Sequence, residues 1–365
     1  MMSNVKKRLS YVDMVRGIAL LAVVLYHLAT VDAVKTVCNH LIDSVLILFF
    51  FYSGYFFRPG KRTFVEKVKH RAKSLLLPLI QYGLCFWAVG TVYLLGTGVP
   101  IREALLCLRN FFAGCIWNRT IQGWFQWEYY SMGKRYLFLA DFWFLIAMFF
   151  SGCLFYLIAE AFSKSRARML LSAGGLFVMS GVLRSFHVEL PYNLQLVPFW
   201  TAFLLLGAFA GQNRLFDAEC LTGAKAWICA AAALAAGIAL SMLKTPNLNL
   251  YRGSFSEIEA VNMLLCIAAS LLIAWGLGEL CRLIEMTGMN VQGLAWIGSH
   301  SLTFYLYHMF YAWIIHIVTG YPLTAKAGET APVGVNIAVI CAVLLLCAGT
   351  CFLKDRYQIV RNGAV

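Results

Sequence analysis

Three ionisable residues stand inside an apolar stretch near the start of the chain, "YVDMVRGIALLAVVLYH" at residues 11–27. They are Asp13, Arg16 and His27. An imidazole can accept and return a proton near neutral pH, and a guanidinium binds carboxylates and phosphates. Such a set could hold an anion and move a proton.

The spacing of these residues places them on one face of a helix. Arg16 and His27 are eleven residues apart, which corresponds to about 1,100° of rotation and roughly 16 Å of rise. Asp13 precedes Arg16 by three residues, so the two side chains can pair. Polar groups deep in a membrane are costly and usually line a bundle interior or a water-filled path. The alternative is that Arg16 reaches back to the interface while His27 only hydrogen-bonds a neighbouring helix.

A second polar stripe lies in "WIGSHSLTFYLYHMFYAWIIHIV" at residues 296–318. Ser301, Tyr305 and His308 are four and three residues apart, and this spacing puts them on one helix face. We expect His308 at a depth comparable to that of His27, so the two imidazoles could converge on one cavity. The alternative is hydrogen bonding between helices.

The composition places these residues in a membrane protein. Hydrophobic residues make up 61% of the 365 residues and charged residues 13%, with a mean hydropathy of +0.73; soluble domains carry about 25% charged residues. No polar linker divides the chain, so we predict one integral membrane domain over residues 1–365. Ten apolar stretches are long enough to span a bilayer and predict an all-α, polytopic helical bundle. They lie at about 12–33, 38–57, 75–97, 140–161, 169–187, 196–212, 226–243, 259–280, 297–318 and 335–353.

The distribution of basic residues predicts the orientation of the bundle. With a cytoplasmic N-terminus, 19 Lys and Arg residues fall on the cytoplasmic side and 10 on the other. The positive-inside rule therefore puts the N- and C-termini in the cytoplasm. The net charge of +13 needs no nucleic acid as a partner. Much of it lies in the basic loop at 58–78, which suits either anionic lipid headgroups or a polyanionic cytoplasmic ligand.

The cysteines do not indicate a metal or redox protein. All 12 are scattered, most within apolar stretches, and form no C-x-x-C pair or Cys/His cluster. We predict no metal site and expect the cysteines to be small core residues.

Five motifs in order resemble the bacterial membrane acyltransferase-3 family, which includes sugar O-acetylases. Arg16, ten residues and then His27 match the signature of the family's first helix. The other matching stretches are "FFFYSGYFF" at 49–57, "DFWFL" at 141–145, "FLLLGAFAG" at 203–211 and "IGSHSLTFYLYH" at 297–308. The resemblance spans most of the chain. His300 departs from the family's usual residue, so no role is carried over to it.

The resemblance implies an enzyme of a bacterial cytoplasmic (inner) membrane. Such proteins take an acyl group, usually acetyl, from cytoplasmic acyl-CoA and transfer it to a hydroxyl of a cell-envelope or lipid-linked carbohydrate. Acyl-CoA would be a co-substrate, without a metal. The bilayer and the carbohydrate would be the partners, and a homo-oligomer is compatible with the sequence.

In the acyl transfer that the resemblance implies, His27 is the expected general base, because a histidine can deprotonate the carbohydrate hydroxyl. Arg16 would bind CoA phosphates or organise the cavity through Asp13. The nucleotide end of CoA would meet the basic loop, at Arg58, Lys61, Arg62 and Arg71.

The acceptor is expected on the opposite side of the membrane. His308, Tyr305 and Ser301 would shape its pocket, or one of them would carry the acyl group transiently. The residues expected to contact it near the outer face are Asp141, Trp143 and Arg184. Aromatic residues in the 99–139 loop, within "GWFQWEYYSMGKRY", suit either sugar stacking or an interfacial aromatic belt.

Two other classes of function compete with acyl transfer. In a secondary transporter, the intramembrane His and Arg groups would form a proton or substrate pathway. The sequence shows no second copy of the Arg16-to-His27 pattern, although transporter folds often contain internal repeats. A ligand-binding membrane protein would bind CoA or sugar without turnover.

Overall fold

Apolar helices of membrane-spanning length make up most of the chain. The computed structural model describes residues 10–60, 62–117, 127–131, 134–138, 143–162, 165–186, 190–213, 215, 223–244, 257–289, 291–321 and 331–361. The helices in these ranges are α1 (Ser10–Leu28), α2 (Asp32–Tyr55), α3 (Phe64–Gly96), α4 (Ile101–Trp117), α5 (Trp143–Phe162), α6 (Arg166–Ser185), α7 (Val197–Gln212), α8 (Gly223–Leu243), α9 (Glu257–Met286), α10 (Gln292–Ser299), α11 (Ser301–Thr319) and α12 (Val333–Arg361).

Ten of these segments are long and apolar enough to cross a bilayer. They fall on the ten predicted stretches, with ends that differ by up to about a dozen residues, so the predicted all-α membrane bundle is confirmed. Backbone groups in hydrocarbon must be satisfied internally, which favours helices throughout the apolar segments. The cytoplasmic location of the termini stays a prediction.

The predicted outward loop at 99–139 contains secondary structure. Helix α4 occupies its first part, and its buried residues Ala104, Cys107 and Leu108 follow helical spacing. Hydropathy misses this helix because it has only 17 residues and carries charges at Arg102 and Glu103. Further along, β1 (Trp127–Ser131) and β2 (Lys134–Phe138) form a two-stranded antiparallel hairpin.

The predicted ninth span is divided at His300. Helix α10 ends one residue before it and α11 begins one residue after it. The His300 Nδ1 lies 2.9 Å from the Trp296 carbonyl oxygen, and Nε2 lies 3.0 Å from Oδ2 of Asp355 in α12. His300 therefore links the α10–α11 junction to the end of α12.

The basic loop predicted at 58–78 is largely helical. Helix α3 has 33 residues, about 50 Å at 1.5 Å per residue, whereas the hydrocarbon core is about 30 Å thick. It begins at a capping box in which Thr63 and Glu66 satisfy each other's backbone N–H groups. Its basic first turns therefore extend past the membrane-spanning part.

Helix α1 packs against several other helices of the bundle. It contacts α2, α9, α10, α11 and α12. Glycine allows the closest of these contacts, because a methyl group on Gly298 of α10 would overlap the Asp13 carbonyl of α1. Small residues let helix backbones approach closely in membranes. The surrounding helices therefore fix the polar face of α1.

Candidate active site

The polar stripe of α1 consists of Asp13, Arg16 and His27, and its first two residues form an ion pair. The Arg16 Nη1 atom lies 3.6 Å from Asp13 Oδ1, and the Asp13 side chain is 7% exposed against 24% for Arg16. The guanidinium carbon of Arg16 lies 5.8 Å from the centre of the Phe56 ring. A guanidinium with a carboxylate and an aromatic ring as neighbours is held in place, while its exposed part can still meet an anion.

His27 and His308 come together at the other end of the stripe. Their ring centroids are 5.3 Å apart, with an angle of 38° between the ring planes. His27 is the penultimate residue of α1, whereas His308 lies in the middle of α11. The two helices are thus staggered, and the last turn of α1 meets the middle of α11.

The helix that carries His308 fixes the orientation of its ring. Nδ1 lies 2.7 Å from the Tyr305 carbonyl oxygen and 3.1 Å from that of Phe304. A carbonyl oxygen only accepts hydrogen bonds, so Nδ1 carries a hydrogen and donates it. In the neutral imidazole Nε2 is then an acceptor. His308 is fully buried, and this Nε2 has no hydrogen-bond partner within the described residues.

Aromatic rings continue from the histidine pair toward α5. The Tyr305 ring lies 6.0 Å from that of His308 and 5.2 Å from that of Phe144. Phe144 contacts the ring of Trp143, which lies 6.3 Å from that of Trp200. Two predicted acceptor-side residues, Tyr305 and Trp143, therefore lie on one connected aromatic wall that begins at His308.

Other predicted site residues lie apart from this wall. Ser301 is half-buried at the start of α11, about two turns from His308, and Arg184 is buried near the end of α6. Arg58 and Arg62 are exposed beside the start of α3. Lys61 and Asp141 lie outside the described residues.

Arg71 makes a contact that its sequence position does not reveal. Its Nε and Nη2 atoms donate to the Met148 carbonyl oxygen of α5, at 3.1 and 2.9 Å. Gly152 makes room for it, since a methyl group there would overlap the guanidinium. Arg71 therefore joins α3 to α5 and faces the bundle.

The sequence did not predict several other buried polar contacts between helices. Lys244 Nζ donates to Asp43 Oδ2 at 2.7 Å, which ties the end of α8 to α2. Lys67 of α3 pairs with Glu160 of α5 beside the Phe57 ring. Asn336 of α12 contacts the end of α1. The available signal was a lone polar residue within or beside an apolar span, which gives no indication of its partner.

A family model described as an acyltransferase domain, of the acyltransferase-3 type, matches residues 9–352. The chain belongs to the acyltransferase-3 family. Comparison with curated proteins gives no match, and comparison with solved structures gives none either.

The matched region of this acyltransferase-3 protein holds both ends of the polar stripe and the aromatic wall. Across the described parts of the protein, no group of three His, Cys, Asp or Glu side chains could hold a metal ion. The groups that the described site offers are an imidazole pair, a guanidinium–carboxylate pair and aromatic surfaces. This set can move a proton and hold an anion.

Proposed function

We propose that this acyltransferase-3 protein is an O-acyltransferase of a bacterial cytoplasmic membrane. It would transfer an acyl group, acetyl as the first candidate, from cytoplasmic acyl-CoA to a hydroxyl of a cell-envelope or lipid-linked carbohydrate. The observation that supports this proposal is the His27–His308 ring pair at one end of α1, with Arg16 toward the other end.

The proposed reaction needs one base, because the thioester is already activated. His27 takes the proton of the acceptor hydroxyl as the hydroxyl oxygen bonds to the thioester carbonyl carbon. The carbon–sulfur bond then breaks, and the proton passes from His27 to the departing CoA sulfur. The products are an O-acyl ester and the free CoA thiol.

His308 would orient the acceptor through its free nitrogen. Carbohydrates carry neighbouring hydroxyl groups, and a second hydroxyl could donate to His308 Nε2, which has no partner within the described part of the chain. An unsatisfied buried acceptor is costly, so such a bond would favour binding of a polyhydroxyl ligand. Tyr305, Trp143 and Ser301 would complete this side, together with Asp141 and Arg184 in the outer region.

Arg16 would meet the phosphates of CoA on the cytoplasmic side. It lies roughly 16 Å along α1 from His27, so an extended donor could reach from one to the other. The exposed Arg58 and Arg62, with Lys61, would hold the nucleotide end. We assign Arg71 a supporting role here, because it contacts the Met148 carbonyl.

Acyl-CoA consumption by purified protein in nanodiscs tests the proposal. We expect wild type to consume the thioester and His27→Ala to lose about 100-fold or more of this rate. The control is His40→Ala, which removes a half-buried histidine whose Nδ1 contacts the Ser241 carbonyl. If wild type shows no turnover, or His27→Ala turns over like His40→Ala, the mechanism is wrong, and transport or ligand binding becomes the leading hypothesis.

A further inference from the structure

The buried side-chain amide of Asn336 contacts the end of α1. Asn336, in the first turn of α12, is 3% exposed. Its Nδ2 donates to the Leu28 carbonyl oxygen at 2.7 Å and to the Tyr321 hydroxyl at 2.6 Å. Its Oδ1 accepts from the Thr30 backbone N–H at 3.3 Å. Both amide hydrogens and the oxygen of Asn336 are therefore engaged.

These contacts fall where a helix leaves backbone groups unsatisfied. The last four carbonyls of a helix have no intrahelical partner, and α1 ends at Leu28. In an apolar bundle an unpaired backbone group is strongly unfavourable, so a fixed partner restricts where the chain end can lie. Asn336 satisfies one carbonyl at the end of α1 and one N–H just beyond it. The position of this end is thereby set from α12.

The same contacts reach both helices that carry the paired imidazoles. His27 directly precedes Leu28, whose carbonyl Asn336 binds. Tyr321 follows the end of α11, and its carbonyl lies 2.6 Å from Nδ1 of His316 in α11. The Asn336 clasp, made of Asn336, Leu28, Thr30 and Tyr321, thus joins α12 to the ends of α1 and α11.

We propose that Asn336 is a positioning residue for the acyl transfer described above. By fixing the end of α1 relative to α11, it would set the placement of the His27 imidazole against His308. This inference rests on the proposed function, because the placement of His27 matters for the proton transfer in that reaction. Misplacement of a reacting group by about 1 Å can cost about 100-fold in rate.

The variants Asn336→Ala, Asn336→Asp and Tyr321→Phe separate positioning from packing. Asn336→Asp keeps the size of the side chain but replaces the donor that faces the Leu28 carbonyl with an acceptor. Tyr321→Phe leaves the Asn336 bonds to Leu28 and Thr30 in place. The control is Ser270→Ala, which removes a buried hydroxyl whose oxygen lies 3.0 Å from Ser44 Oγ, between α9 and α2.

Two measurements are made on each variant in nanodiscs. The first is the steady-state rate of acyl-CoA consumption, analysed as kcat and KM. The second needs no substrate: the rate at which diethyl pyrocarbonate modifies His27, followed by peptide mass spectrometry. Exposed His70 provides an internal reference within the same samples.

We expect Asn336→Ala and Asn336→Asp to lower kcat about tenfold or more, with KM for acyl-CoA within about twofold of wild type. The relative modification rate of His27 should change at least about threefold in both variants, and less in Tyr321→Phe. Ser270→Ala should leave both readouts near wild type. If one of the two Asn336 variants does not fold, the other decides: a kcat and a His27 modification rate equal to those of wild type in the variant that folds count against the proposal.

Wild-type kcat and His27 reactivity in Asn336→Asp would overturn the inference, as would equal losses in Ser270→Ala. Failure of the proposed function is distinguishable from this result. If wild type consumes no acyl-CoA, the function is wrong, while an altered His27 modification rate in Asn336→Asp still supports the positioning contact.

Discussion

His308 has one ring nitrogen available for a ligand, because its own helix occupies the other. The carbonyl oxygens of Tyr305 and Phe304 take the Nδ1 hydrogen, so the neutral ring offers Nε2 as an acceptor. His27 and His308 therefore need not share one role although their rings are in contact. If one histidine is the base and the other orients the carbohydrate, substitution of each histidine in turn separates the two roles.

The substitution His308→Asn tests this division. An asparagine amide can still donate to the backbone carbonyls, but it offers nothing equivalent to Nε2. We expect KM for a carbohydrate acceptor to rise about tenfold, as for the loss of one hydrogen bond in a buried site. Acceptor-independent thioester hydrolysis should change less than about threefold. An equal reduction in the rates of carbohydrate acylation and of thioester hydrolysis would contradict a role for His308 in orienting the carbohydrate.

At the scale of elements, Arg71 illustrates how one side chain can join two helices. Its guanidinium reaches the Met148 carbonyl because Gly152, one turn later in α5, has no side chain. The contact therefore depends jointly on an arginine in α3 and a glycine in α5. Neither residue alone indicates it in the sequence.

A double-mutant cycle measures this dependence. Gly152→Ala should displace the guanidinium and lower the free energy of unfolding by about 1–3 kcal/mol, the range for hydrogen bonds to charged groups. In an Arg71→Ala background the same change should stabilise by about 0.5–1 kcal/mol, because alanine is the better helix former. Thermal unfolding in one detergent, compared across the four proteins, gives the coupling. Additive effects would show that the contact is unimportant.

At the scale of the whole molecule, the proposed reaction requires the two ends of α1 to face different compartments. Arg16 would meet a cytoplasmic donor, and the His27–His308 pair would meet an acceptor from the other side. The excess of basic residues on one side predicts this orientation. Two exposed residues can report it: Val34, in the first turn of α2, and Arg62, between α2 and α3.

Cysteine labelling of intact cells tests the orientation. In a cysteine-depleted background, we expect a membrane-impermeant maleimide to label Val34→Cys directly. It should label Arg62→Cys only after permeabilisation, because that position lies in the basic region predicted to be cytoplasmic. The reverse pattern would place the N-terminus outside and would require the donor site to move to the other end of α1.

The sequence predicted all ten spans of the described residues, because bilayer thickness and backbone satisfaction limit an apolar chain to helices of about 20 residues. It did not predict α4, whose apolar residues occupy one face of a short, charged segment. It also treated the ninth span as continuous, because the contact of His300 with Asp355 joins residues 55 positions apart in the chain.

Local composition and residue spacing were enough to predict a membrane bundle of ten spans, a family motif and a helix face that carries Asp13, Arg16 and His27. These features depend on local composition and on the 3.6-residue period of one helix. The packing of the helices was needed to show that His27 contacts His308, that Arg71 binds α5 and that Asn336 binds the end of α1. Each of these contacts joins helices distant in sequence, and their partners are fixed by the stagger and close packing of the helices.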